Sequence, residues 1–294
     1  MPNAETIRLE APGASAEIAL MGAEPWSWRV GSRELLWQGD PAHWARRAPI
    51  LFPVVGASVG GSVRVGHQSY PMPQHGFARD SRFTIVEQNA DSVHLHLGES
   101  DETWKHYPFR FALDVKAMLD SRSLTLVFEV TNADTSDMPY SVGFHPAFPW
   151  PFDGGERQDY RVEFESEEKP DIPDVASGGL LRPGDRKLPL DGRALPLDPN
   201  LFDEALCLLD AHSQELRFVA PSGAAITMTL EDFPHIALWT KRDAPFLSLE
   251  AWTGHADWEG FGGELSERAS INLLPLGHTL RHAVKLTWAE PAGG

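Results

Sequence analysis

Apolar and polar residues alternate one for one along much of this chain. Thr6-Ile7-Arg8-Leu9-Glu10, Ser62-Val63-Arg64-Val65-Gly66, Ser92-Val93-His94-Leu95-His96-Leu97 and Tyr160-Arg161-Val162-Glu163-Phe164-Glu165 each put apolar side chains on one face and polar ones on the other, the pattern of half-buried antiparallel strands. Longer runs at 109–119, 123–132, 224–230 and 280–288 are rich in Val, Thr, Phe and Leu and also fit strands. Helical spacing sustained over more than three turns is missing almost everywhere. Glycine and proline are spread throughout, with strong turn signals at Gly39-Asp40-Pro41, Asp153-Gly154-Gly155, Pro183-Gly184-Asp185 and Gly262-Gly263. The stretch 165–198 is polar and proline-rich like a linker. Strand patterns flank it on both sides and neither half looks self-sufficient, so it reads as an excursion within one domain spanning 1–294. The expected fold class is all-β, a large antiparallel β-sandwich.

Composition narrows the partners. The formal net charge is −17 over 294 residues, which argues against nucleic acid and against an anionic membrane surface. No stretch approaches the roughly 20 apolar residues of a membrane span. The start, Met1-Pro2-Asn3-Ala4-Glu5, lacks the basic and apolar regions of a secretory signal, so a cytoplasmic location is expected. Cys207 is the only cysteine, which excludes an intrachain disulfide. Its neighbours Leu206 and Leu208 make it read as a buried, inert thiol.

Three residues carry the candidate chemistry. His145 lies in Gly143-Phe144-His145-Pro146-Ala147-Phe148, where the proline interrupts a strand ladder and pushes the histidine to a strand end or bulge. His75 precedes Gly76, which permits a tight turn or close backbone approach. Glu250 sits in the apolar run Phe246-Leu247-Ser248-Leu249-Glu250-Ala251-Trp252. A carboxylate there must be hydrogen-bonded, neutral or functional, and alternation puts Ser248, Glu250 and Trp252 on one face. Each also has a bland reading: an aromatic-core histidine, a surface turn, an exposed strand face. Imidazole and carboxylate together can donate a proton at one atom and collect one at another near neutral pH. Trp239 and Trp252 bracket the Glu250 segment and would suit the wall of a sugar pocket. His94 and His96 could open a metal site, but the rest of a cupin-type ligand pattern is missing, so the pair reads as a polar strand face. With no phosphate-cradling loop, dinucleotide fingerprint or nucleophile elbow, neither metal nor organic cofactor is expected.

Several ordered segments resemble the aldose 1-epimerase (galactose mutarotase-like) family, in particular its shorter bacterial branch. They are Trp44-Ala45-Arg46-Arg47-Ala48-Pro49-Ile50-Leu51-Phe52-Pro53, His75-Gly76-Phe77-Ala78-Arg79-Asp80 and Gly143-Phe144-His145-Pro146-Ala147-Phe148. Asn200-Leu201-Phe202, the segment 248–254 and Gly260-Phe261-Gly262-Gly263-Glu264-Leu265-Ser266 continue the likeness. The resemblance implies a large β-sandwich that interconverts the α and β anomers of a free hexose without a cofactor. It implies Glu250 as general base on the C1 hydroxyl, His145 as general acid on the ring oxygen and His75 as a supporting hydrogen bonder. Arg46 and Arg79 match basic positions near the pocket, and Asp203 falls where a sugar-hydroxyl acceptor is expected. Two positions depart from the pattern. Ala251 stands where a proline usually follows the glutamate, and Ala57 where many relatives carry an arginine.

On this reading Glu250 is ionised and His145 protonated in the reactive complex, placed on opposite sides of the C1–O5 edge. Competing readings are a hexose-6-phosphate epimerase, should Arg46, Arg47, Arg79 and Lys105 converge on a phosphate, and a sugar-binding or regulatory sandwich without catalysis. The pattern says nothing of oligomeric state.

Overall fold

The computed structural model describes residues 5–291. Three antiparallel sheets dominate, and the large antiparallel sandwich expected from the alternation is what forms. The largest sheet has nine strands in the spatial order Ala194–Pro196, Arg161–Phe164, Glu215–Val219, Ala225–Glu231, Thr279–Ala289, Ser123–Asn132, Phe111–Leu119, Ser92–Gly98 and Thr84–Gln88. The strand Phe111–Leu119 alternates strictly: Phe111, Leu113, Val115, Ala117 and Leu119 are buried while Asp114 and Lys116 on the opposite face are not. A four-stranded sheet, Thr6–Ala11 to Arg33–Glu34, covers part of that apolar face with Ile7, Leu9, Ile18 and Trp28.

The sheet that positions the site runs Leu206–Leu208, His235–Trp239, Phe246–Trp252, Gly143–Phe144 and Ile50–Leu51, and Ala147–Pro149 also pairs with Phe246–Trp252. Every residue of Phe246–Trp252 is buried, because this strand is covered on both faces. Leu247, Leu249 and Ala251 point into the main core, where Phe144 meets Phe128 of the nine-stranded sheet at 6.0 Å between ring centroids. Burial of each such leucine or phenylalanine contributes about 1.5–3 kcal/mol. The alternate residues Ser248, Glu250 and Trp252 face the other way. A polar row on a strand buried on both faces has to be satisfied within the protein.

The sequence offers few helices, and among the described residues the one α-helix is the single turn Asp101–Trp104. None is long and apolar enough to cross a membrane. The proline-rich stretch 165–198 holds the small hairpin Asp174–Val175 with Leu181–Arg182 and the edge strand Ala194–Pro196. His94 and His96 do lie on a polar strand face, both against Asp114 Oδ1 at 2.8 and 3.1 Å.

Candidate active site

Strand register brings His145 to Glu250. Phe144 lies opposite Ala251 and Ala147 opposite Ser248, so the same register runs through the gap and sets His145 across from Glu250. Pro146 has no N–H to give the ladder, and its carbonyl instead accepts from Leu249 N (3.1 Å) while His145 N turns to Pro49 O (3.1 Å). The imidazole Nε2 lies 3.1 Å from Glu250 Oε1. The other carboxyl oxygen, Oε2, accepts from the Trp252 indole N–H at 3.0 Å. His145 Nδ1 is 2.7 Å from Ser248 Oγ. The two groups therefore stand side by side in direct contact, where the sequence reading set them on opposite sides of a sugar edge.

His75 arrives on a strained turn, with φ +67° at His75 and +71° at Gly76. A side chain at Gly76 would put its Cβ 2.1 Å from Phe52 O, so only glycine fits there. Gly56 N–H donates to His75 Nδ1 at 3.1 Å. That leaves the hydrogen on Nε2, the nitrogen free to donate elsewhere. The His75 and His145 rings are 5.9 Å apart between centroids.

These groups line a cavity of about 730 Å³, a size suited to a small polar ligand. Glu250, His145, His75, Arg79, Asp203, Trp239 and Trp252 all reach it. Arg46 does not: its guanidinium pairs with Asp80 at 2.8 Å, tying down the turn that carries Arg79. Arg47 is likewise committed to the Trp26 ring and Lys105 to Glu102, so the four cations do not converge. Lys241 lines the cavity and was not foreseen, though its ammonium already donates to His43 O at 3.0 Å.

Trp44 is the wall residue whose contact pattern reading does not supply. Its ring stacks on His145 at 4.9 Å with 28° between planes, and Trp239 meets the same imidazole edge-on at 5.7 Å. Cys207 is buried as expected, yet it faces the cavity, in one row with Ala237 and Glu250. Burial pushes its thiol up to about 12, which keeps it unreactive. The hairpin in the proline-rich excursion supplies the remaining wall through Ala176, Ser177 and Gly179.

Comparison with known proteins gives the family and the fold. The family model for aldose 1-epimerase matches residues 5–267. The chain belongs to the aldose 1-epimerase family. It is 35% identical over 257 residues to the chromosomal protein LacX of Lactococcus lactis subsp. lactis, covering 83% of this chain and 86% of LacX. A galactose mutarotase-like protein from Lactobacillus casei superposes with a TM-score of 0.91 at 30% identity, over 97% of this chain and 100% of that one. A galactose mutarotase related enzyme from Lactobacillus acidophilus gives 0.85 at 25% identity, covering 98% of each chain.

The two departures from the family pattern now have places. Ala251 points into the core and pairs with both Phe144 and Ile236. Ala57 packs beneath Gly179 at the hairpin tip. Behind that wall Arg268 is 4% exposed, donates to the carbonyls of Val55, Ala57 and His255, and sits 2.8 Å from Asp257.

Burial sets the proton balance of this aldose 1-epimerase family member. Desolvation raises Glu250 well above its ordinary range, and the Trp252 hydrogen bond only partly opposes it. Desolvation also lowers His145 to about 3, against a backbone hydrogen bond that acts the other way. His75 is lowered by burial and then by the neighbouring His145 and Arg79. The 3.1 Å approach of Nε2 to Oε1 lets the pair carry either imidazolium with carboxylate or neutral imidazole with carboxylic acid, and burial favours the neutral pair in the ligand-free protein.

Proposed function

We propose that this protein interconverts the α and β anomers of a free, uncharged hexose by general acid–base ring opening and closure. The observation that carries this is the 3.1 Å approach of His145 Nε2 to Glu250 Oε1 in a tryptophan-walled cavity.

In the opening step the Glu250 carboxylate takes the O1 proton as the C1=O1 double bond forms. The C1–O5 bonding pair goes to O5, which takes the proton from His145 Nε2. The sugar thus moves one proton from His145 to Glu250, converting the ion-pair form into the neutral form that burial favours. Rotation about C1–C2 and the reverse transfers close the ring on the other face. Both proton arrangements are needed, one for each direction. His75 Nε2–H, fixed by Gly56, is a neutral donor for a ring or hydroxyl oxygen. Trp44, Trp239 and Trp252 supply apolar faces for the C–H side of the pyranose, and Asp203 and Arg79 supply polar contacts for its hydroxyls.

The preference for an uncharged sugar rests on the cations. Arg79 gives one N–H to Gln74 O at 2.6 Å and Lys241 one to His43 O at 3.0 Å, and Arg46, Arg47 and Lys105 point elsewhere, so the four cations expected to converge form no phosphate clamp. Polarimetry on freshly dissolved α-glucose and α-galactose should show equilibration accelerated in proportion to protein concentration, and α-glucose 6-phosphate should lag behind both. Sugar binding without acceleration would leave a carbohydrate-binding sandwich, and a faster phosphorylated substrate would reverse the substrate choice.

A further inference from the structure

We infer that Ser248 is a positioning residue that sets the tautomer of His145 and thereby makes the His145–Glu250 pair hold the extra proton its chemistry uses. The inference deepens the proposed acid–base reading and rests on it for its link to turnover.

A serine hydroxyl has one hydrogen and two lone pairs. Ser248 Oγ donates that hydrogen to Pro146 O at 2.8 Å. Toward His145 Nδ1, 2.7 Å away, it can therefore only accept, so the Nδ1 hydrogen is in place. Pro146 O is available for this because it lies in the stretch where the proline interrupts the ladder. Ser248 itself is fully buried, so no water substitutes for it.

The consequence lies on the other side of the ring. With Nδ1 protonated, a neutral imidazole presents a lone pair at Nε2, 3.1 Å from Glu250 Oε1, and a lone pair at that distance favours a carboxylic acid over a carboxylate. If the ring is charged, both nitrogens carry hydrogen and Glu250 is a carboxylate. Each of these forms holds two hydrogens over the pair. A third form would have a neutral Nε2–H imidazole donating to a carboxylate, with one hydrogen and net charge −1. It would leave Nδ1 bare against a hydroxyl whose hydrogen is already committed, and so is disfavoured. Ser248 thus excludes the proton-poor state that cannot protonate O5 and deprotonate O1 in one cycle.

The groups facing the pair are consistent with this role. His75 lies 5.9 Å away between ring centroids and is held neutral, and Trp44 and Trp239 pack on the imidazole. Cys207 lies in the Glu250 row as a neutral thiol, and Arg79, Lys241, Asp203 and Glu204 reach the same cavity. Arg46 stands behind the Arg79 turn. Of these, none contacts Nδ1 of His145.

Nitrogen-15 NMR of the sugar-free protein reads the tautomer directly. Wild type should show His145 Nδ1 as a protonated, pyrrole-like nitrogen and Nε2 as a pyridine-like acceptor. In Ser248→Ala the two signatures should exchange, kcat should fall about 10- to 100-fold with KM nearly constant, as is usual when the partner orienting a functional histidine is lost, and the basic limb of the pH–rate profile should move to lower pH. Ser248→Thr keeps the hydroxyl and should restore the wild-type nitrogen pattern. Unchanged shifts in Ser248→Ala would overturn the inference, as would a kcat loss with an unmoved pH profile. The spectrum needs no turnover, so a wild type that shows the expected nitrogens but accelerates no aldose would overturn the proposed function alone.

Discussion

Replacing Glu250 with glutamine should slow anomer exchange by about 10²–10⁴-fold, the range for a positioned proton-transfer group, while the protein melts close to the wild-type temperature. The pairing of these two outcomes follows from the carboxyl's surroundings. Glu250 is 1% exposed and its burial disfavours the charge, so a neutral amide of the same shape costs the fold little. The glutamine carbonyl can accept from the Trp252 indole as Oε2 does, and its N–H can donate to His145 Nε2. What it cannot do is collect a proton from O1. Exchange-rate measurement by NMR saturation transfer, with a thermal melt alongside, checks both. Near-normal turnover in Glu250→Gln would remove the assignment of the base.

Arg268→Ala should destabilise the protein by about 3–5 kcal/mol, the cost of breaking one side of a buried ion pair. At the roughly 2–4 °C per kcal/mol typical of domains of 150–250 residues, the melting temperature should drop by roughly 6–20 °C. Arg268 and Asp257 are 4% and 5% exposed. Burial opposes the charge on Arg268 and Asp257 opposes that loss, so deleting the guanidinium strands a buried carboxylate that also accepts from Val59 N at 2.9 Å. Three carbonyls lose the guanidinium in the same step, and of these only Ala57 O keeps another donor, Asp257 N, so removing the Asp257 side chain as well should not restore stability fully. Two of them, at Val55 and Ala57, flank Gly56, whose N–H fixes the His75 tautomer. The variant should therefore lose activity beyond its loss of folded protein. A melting temperature unchanged from wild type would show that the pair contributes nothing net.

Much of this was legible in the chain because sheet formation writes a period of two. The alternating segments at Thr6–Ala11, Ser62–Val65, Ser92–Gly98 and Arg161–Phe164 are strands as read, and alternation placed Ser248, Glu250 and Trp252 together on one face before any coordinates. Which strands pair was not legible. His145 and Glu250 meet through a register between segments about a hundred residues apart, and no local pattern encodes that distance. The family likeness supplied the convergence that the pattern could not. Their direct contact, and the push of burial toward the neutral pair, depend on depth in the fold, which sequence composition does not give. Arg46 looked like Arg79 on paper. The difference is Asp80, which pairs with Arg46 at 2.8 Å and with Arg79 only at 3.7 Å. Trp44 opens one of the family-like segments, but nothing in that segment points to its stack on His145. Buried Arg268 was missed because arginine is mostly exposed, and nothing in Ser266-Glu267-Arg268-Ala269 marks it otherwise.

The pH dependence of kcat/KM for wild-type protein on α-glucose, corrected for spontaneous exchange, tests the shared proton most directly because it reports the free protein's essential groups. Burial lowers His145 to about 3 and holds Glu250 well above the carboxylate range, so the pair takes up a further proton only in strong acid and gives one up only above the ordinary carboxylate range. His75 stays neutral throughout. The expected result is a rate that holds its level as the pH falls toward about 3, with no acid limb at the ordinary carboxylate value of about 4.3. A rate that instead titrates through that value would mean that His145 and Glu250 ionise independently, and the shared-proton mechanism would fall.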